Sequence, residues 1–133
     1  MNIDIIIPTL NSEKTIERAL ESIYKASRKS SLGTIQILIA DGGSQDNTKS
    51  IISSYKSDLK IKIVSELDHS PEEGVSNAFN KSESEYIMIM GSDDYISSDY
   101  FLAVDTFSFK DNNILFPSTY IIMNEDNVSR KKI

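Results

Sequence analysis

The chain has 133 residues, 39% of them hydrophobic and 26% charged, a size and balance that fit one domain with a modest core and leave no room for two. With 14 Lys and Arg against 20 Asp and Glu, the net charge is −6, and nucleic acid is excluded as a partner because no basic stripe can displace counterions from phosphates. There are no cysteines, so disulfides and thiolate metal sites are excluded as well.

Strands and helices alternate along the chain. Residues 3–7 are a run of isoleucines interrupted only by Asp4, hence a buried strand, which Pro8 ends. Between Ser12 and about Lys25, Ile16, Ala19, Leu20, Ile23 and Tyr24 recur at helical spacing, with Asn11 or Ser12 as the cap. A turn with Gly33 leads to a second strand over 35–40, broken by Asp41-Gly-Gly-Ser44. A helix begins near Asp46 and carries Ile51, Ile52 and Tyr55 on one face. Residues 61–64 form a third strand, and 74–81 a short helix with Val75, Ala78 and Phe79 inward. The apolar run 86–90 reads as a fourth strand, central and buried on both faces. Residues 100–109 are predicted helical and 114–123 strand-like, followed by a polar tail through Glu125 and Asp126 to Lys132. This order predicts an α/β fold: a Rossmann-like, mainly parallel sheet with helices on both faces and right-handed crossovers.

Polar residues gather where each strand meets its helix. Pro8-Thr9-Leu10-Asn11 leaves the first strand, Asp41-Gly42-Gly43-Ser44-Gln45-Asp46 the second, Glu66 and Asp68 the third, and Asp93-Asp94 the fourth. In open α/β sheets the ligand crevice lies at this edge. Two glycines let a ligand approach the backbone, although a helix-capping turn would use the same residues. Adjacent carboxylates repel, so a cation or a sugar hydroxyl is a natural partner for Asp93 and Asp94; a solvated turn is the alternative. Neither the Gly-x-Gly-x-x-Gly of a dinucleotide site nor the Gly-Lys-Ser/Thr of a phosphate loop occurs. Hydride transfer and ATP hydrolysis are therefore disfavoured.

The segments IIIPTLNSEKTIERALESI, ILIADGGSQDNTKSII and SEYIMIMGSDDYISSDYF resemble, in order and spacing, the nucleotide-binding N-terminal half of the family 2 glycosyltransferases of the glycosyltransferase-A fold. The similarity covers about residues 3–103. It implies that Pro8, Thr9 and Asn11 lie against the nucleoside, that Asp41 accepts a hydrogen bond from the base, commonly uracil, and that Asp93 sits near the ribose or the metal. Asp94 matches the metal ligand of the DxD-type motif. The implied cofactor is Mg²⁺ or Mn²⁺, and the implied partners are a nucleotide-sugar donor, most simply a UDP-sugar, and a glycan or lipid-linked acceptor. Ser44 and Asp46 are explained equally well as helix-capping residues.

The chain departs from the family in two places. Many relatives carry a compact Asp-x-Gly-(Ile/Val)-Tyr-Asp-Ala-(Met/Phe)-Asn-Lys-Gly segment, whereas here Asp68 is separated from Gly74 by His69-Ser-Pro-Glu-Glu73, and Ser76-Asn77 stands in place of Tyr-Asp. Asn80-Lys81 is kept. His69, the only histidine, is expected in an exposed loop and not as a catalytic base. The acceptor-binding half, where inverting relatives carry the base, would begin about where this chain stops, so 1–133 reads as the donor-binding part and the catalytic base is unassigned. Two readings follow: an inverting glycosyltransferase domain, or a nucleotide-sugar-binding module without transferase activity. A nucleotidyltransferase would need an Arg- and Gly-rich loop that PTLNSEKT lacks. The apolar runs fall short of the roughly 18 residues of a membrane span, and the amino terminus has no basic region of a signal peptide. A cytoplasmic protein is expected, with any attachment to the membrane's inner face supplied from outside this chain. An exposed sheet edge would be covered by a second copy, as a homodimer, or by a continuation of the chain.

Overall fold

In the computed structural model, which describes residues 2–66, 68–105, 119–124 and 127–132, four strands form one parallel sheet. They are β1 (Ile3–Thr9), β2 (Ile35–Asp41), β3 (Lys60–Glu66) and β4 (Tyr86–Ile89), in the order β3-β2-β1-β4. The chain steps outward from β1 to β3 and then returns past β1 to β4. Keeping crossovers right-handed through that reversal requires helices on opposite faces. Helices α1 (Ile16–Ser27) and α2 (Thr48–Ser54) cover one face and α3 (Pro71–Lys81) the other. On the first face Ile3, Ile5, Ile7, Ile37 and Ile39 pack with Ile16, Ala19, Leu20 and Ile23 of α1 and Ile52 of α2. On the second, Ile6, Leu38, Ala40 and Val64 meet Ala78 and Val75 of α3. Both faces of β1 and β2 are apolar for this reason. A short helix α4 (Tyr100–Asp105) closes the first core with the fully buried Phe101.

Pro8 does not end the first strand. Hydrogen bonding explains how a central strand holds it. The Ile6 carbonyl accepts from Met90 N at 3.0 Å and the Thr9 carbonyl from Gly42 N at 2.8 Å, so even-numbered residues of β1 address β4 and odd-numbered ones β2. Pro8 therefore has its missing N–H on the β4 side, where strand pairing has already ended at Ile6–Ile89. The two strands diverge beyond that point, which is the topological switch of the sheet.

A second irregularity lies at the end of β3. The register jumps from Ile39–Ile63 to Ala40–Ser65, which leaves Val64 as a bulge. Its carbonyl accepts a hydrogen bond from the Lys81 ammonium at the end of α3. At the opposite end of the sheet, Asp4 is buried and accepts from the hydroxyls of Ser82 (2.6 Å) and Ser84 (2.8 Å), fixing the link from α3 to β4.

Several expectations are corrected. Among the described residues β4 is an edge strand and not a central one; its side chains are half-buried and Ile89 is 60% exposed, so its apolar run signals an uncovered face. Phe79 points outward, 58% exposed, and Gly74 with Ala78 forms the inner face of α3. That helix starts at Pro71, three residues earlier than expected, because Pro71 sits in its first turn and the Ser70 hydroxyl accepts from Glu73 N at 3.2 Å. Helix α1 starts later than Ser12, since the Ser12 carbonyl first closes a turn with Thr15 and Ile16 N. The expected polar tail holds a strand: β5 (Thr119–Asn124) and β6 (Asn127–Lys132) form an antiparallel pair. Residues 106–109 of the expected helix and 114–118 of the expected strand lie outside the described residues.

Candidate functional site

Strand register builds the first part of the site. Thr9 and Asp41 are paired neighbours at the ends of β1 and β2, and the Thr9 hydroxyl donates to Asp41 Oδ1 at 3.1 Å. The Ser44 hydroxyl donates to the same oxygen at 2.5 Å, and the amides of Gly43 (3.1 Å) and Ser44 (2.9 Å) donate to Oδ2. Asp41 is 0% exposed, and these four donors fill the roughly four acceptor positions of a carboxylate. Burial pushes its pKa up, but the Ser44 hydroxyl and amide, the Thr9 hydroxyl and the Gly43 amide outweigh it, so the group lies below its ordinary value. Lys49 Nζ stands 3.6 Å away on the solvent side.

The loops after β1 and β2 are stitched together around this carboxylate. Asn11 takes a left-handed backbone, φ 47°, which Asn tolerates better than most residues. Its amide donates to Ser44 Oγ at 2.9 Å and its side-chain oxygen accepts from Gln45 N at 2.9 Å. Asp46 accepts from the Thr48 hydroxyl and amide and from Glu13 N, while Glu13 accepts from both nitrogens of Asn47. Ser12 N donates to Thr48 Oγ1 at 2.7 Å. Glu13, Ser12 and Thr48 were not expected in this group; the signal for them was Asp46-x-Thr48, a side chain turning back onto its own backbone at a helix start.

The acidic turn lies across the β1–β4 divergence. Asp94 N donates to the Gly91 carbonyl at 3.1 Å, and Gly91 N donates to Asp94 Oδ2 at 3.0 Å. A Cβ on Gly91 would lie 2.8 Å from Asp93 Oδ1 and 2.9 Å from Asp94 Oδ2. Both carboxylates thus converge beside the Gly91 Cα, and both are exposed. The turn joins the first loop through Ser12 Oγ and Ser92 Oγ, 2.9 Å apart. Pro8, Thr9, Asn11 and Asp41 therefore belong to one loop cluster, with Asp41 enclosed in it and Asp93 and Asp94 exposed at the neighbouring strand end.

The loop after β3 supplies Asp68, whose Oδ1 accepts from Asn77 Nδ2 at 3.1 Å. Gly74 is buried, and a Cβ there would lie 2.8 Å from Asp68 Oδ2 and 3.1 Å from Ala40 Cβ; glycine is what lets α3 approach β2 under Asp68. His69 is exposed and pairs only locally, with Glu73 Oε2 at 3.1 Å, as expected of a loop histidine.

Two converging carboxylates are a hard, oxygen-only donor set, which suits Mg²⁺ or Mn²⁺. Among the described residues no group of three or more His, Cys, Asp or Glu could hold a metal. Two carboxylates by themselves are fewer ligands than such a cation takes.

The family model of glycosyl transferase family 2 matches residues 4–133. The chain belongs to that family. It is 31% identical over 102 residues to the poly(ribitol-phosphate) beta-N-acetylglucosaminyltransferase TarS of Staphylococcus aureus, a match covering 74% of this chain and 17% of TarS. It is 32% identical over 127 residues to the glycosyltransferase MG025 of Mycoplasma genitalium, covering 92% of this chain and 41% of MG025. The fold matches the crystal structure of TarS residues 1–349 with a TM-score of 0.70 at 28% identity, over 79% of this chain and 31% of that one. TarS 1–349 has also been solved with UDP and with UDP-GlcNAc. A mannosyltransferase of Pyrobaculum calidifontis, solved with GDP-Man and Mn²⁺, shares the fold at a TM-score of 0.63 and 22% identity, over 73% of this chain and 29% of that one. The chain thus spans about a sixth of the length of TarS. Its α/β parallel sheet is the N-terminal part of the glycosyltransferase-A fold. No helix among the described residues is long and apolar enough to cross a membrane.

Proposed function

We propose that this chain is the donor-binding part of an inverting glycosyltransferase that takes a UDP-sugar with Mg²⁺ or Mn²⁺ and passes the sugar to a glycan or lipid-linked acceptor. The observation that carries the reading is the pairing of two features across the β1–β4 switch point: a hydrogen-bonded loop cluster built on Thr9 and Asp41, and a two-carboxylate turn beside it. The UDP and UDP-GlcNAc complexes of TarS support the choice of donor.

In this reading Pro8, Thr9 and Asn11 lie against the nucleoside. Asp41 accepts the imide N–H of the base, the Ser44 hydroxyl turning away from Oδ1 to free one acceptor position. Asp93 faces the ribose or the cation, and Asp94 holds the cation. When bound, the cation offsets the charge that builds on the leaving diphosphate and orients it. The buried donors around Asp41 keep it ionised as the base enters, and the stitched loops hold the nucleoside in one place, so that the reacting carbon is held in line for displacement.

The test is a thermal-shift panel of nucleotides and nucleotide sugars with Mn²⁺ and with chelator, since a ligand that prefers the folded state raises its stability. UDP and UDP-sugars should stabilise most, and more with Mn²⁺. Stabilisation by a UDP-sugar without transfer to any acceptor would assign a binding module. Equal stabilisation by all nucleotides, indifferent to metal, would overturn the donor site.

A further inference from the structure

Arg18 and Ser22, four residues apart on one face of α1, and Lys29, just past the end of that helix, together hold the segment from Asp93 to Asp99. Arg18 Nη2 donates to the Asp93 carbonyl at 2.7 Å, and its guanidinium lies 4.8 Å from the centre of the Tyr95 ring. Ser22 Oγ accepts from Ile96 N at 3.2 Å. Lys29 Nζ reaches Ser98 Oγ at 3.0 Å and Asp99 Oδ1 at 2.7 Å.

The contact of Arg18 is the one that matters to the carboxylates. The Asp93 carbonyl and the Asp94 N–H belong to one peptide unit. Arg18 fixes the carbonyl, and the Gly91 carbonyl fixes the N–H at 3.1 Å. A peptide unit is planar, so pinning both its ends sets its tilt. That tilt directs the Asp93 side chain on one side and, on the other, folds the Asp94 carboxylate back to Gly91 N. Ser12, bonded to Ser92 on one hand and Thr48 on the other, ties the same turn to the loop cluster around Asp41. The Tyr95 ring beneath the guanidinium adds a cation–π contact that limits how far it can swing from the carbonyl.

We infer that Arg18, seated on Tyr95, is a positioning residue for the two-carboxylate turn and sets how tightly the protein and a bound nucleoside diphosphate together hold a divalent cation. The inference deepens the proposed donor site and rests on it. Removal of an outer partner of a metal-binding carboxylate commonly weakens metal binding by one to two orders of magnitude, and the same logic applies here through the backbone.

The test compares wild type with Arg18→Ala, Arg18→Lys and Tyr95→Leu. Free Mn²⁺ is measured by electron paramagnetic resonance in the presence of UDP, UDP affinity by calorimetry in chelator, and Tm by thermal melting. Arg18→Ala should weaken Mn²⁺ binding in the presence of UDP by roughly tenfold, with UDP affinity in chelator unchanged. Arg18→Lys, which keeps a cationic donor but loses the forked guanidinium, should fall between, and Tyr95→Leu should shift Mn²⁺ binding in the same direction. Wild-type Mn²⁺ affinity in Arg18→Ala would overturn the inference. So would an equal loss of UDP affinity in chelator, which would make Arg18 a nucleotide contact or a general stabiliser. If wild type itself shows no UDP-dependent Mn²⁺ binding, the donor site falls and this inference with it; if wild type shows it and Arg18→Ala matches wild type, only this inference falls.

Discussion

At the end of β2 a fully enclosed carboxylate stays ionised because every acceptor position on it meets a protein donor. Two consequences can be measured on Asp41. First, Asp41→Ala should weaken UDP by about 1.5 to 3 kcal/mol, the worth of a hydrogen bond to a charged group, and should weaken nucleotides without an imide N–H less; calorimetry across bases separates base reading from loop shaping. Second, its folded-state pKa lies below the ordinary 3.8. The stabilisation is then complete above that value and is lost as pH falls through the lower folded value. The stability advantage of wild type over Asp41→Asn should therefore shrink below about pH 4, read by denaturant melts across pH. At the acidic turn, Gly91→Ala should place a Cβ against both carboxylates and reduce Mn²⁺ dependence as Asp94→Asn does. Full metal-dependent binding in either variant would remove the metal role from this turn. That Asp41, Asp93 and Asp94 would stand at neighbouring strand ends was legible from sequence, because the loops leaving parallel strands emerge at one edge of the sheet. The Ser12–Ser92 bridge was not, since its residues are 80 apart and neither belongs to a patterned element.

Among elements, apolar periodicity located all four strands of the sheet but misjudged two surroundings. The run 86–90 looks as buried as residues 3–7, yet only the strand order reveals that one edge and part of one face of β4 are uncovered in the described residues. Phe79 was placed inward by spacing alone, whereas Gly74 and Ala78, the small residues, are what the α3–sheet contact selects. Pro8 was read as a terminator because a proline removes a ladder donor; its parity within β1 puts that loss where no partner strand remains. The lower end of β1 tests whether element anchoring and ligand binding are separable. Asp4→Ala, which strips the acceptor from Ser82 and Ser84, should lower stability by about 1.5 to 3 kcal/mol and leave UDP affinity unchanged. A matching loss of UDP affinity would mean the two ends of the sheet are coupled.

Over the whole molecule, the alternation of strands and helices was enough to predict a parallel α/β sheet covered on both faces, and the reversal of strand order at β1–β4 places the crevice where the motif residues already stood. The β5–β6 pair was not foreseen, because Asn127–Lys132 is polar and lacks the alternation that marks a half-buried strand. A net charge of −6 gives an anion no general electrostatic attraction, so the proposed diphosphate donor would rely on local positive charge, such as a cation held at the acidic turn. The most direct test of the account is a crystal structure with UDP and Mn²⁺, read by the anomalous signal of the metal. The account predicts the uracil against Thr9 and Asp41, with the Mn²⁺ peak about 2 Å from an Asp94 oxygen and bridging to the diphosphate. A nucleotide bound away from the β1–β4 divergence, or a metal peak that does not touch Asp94, would contradict it.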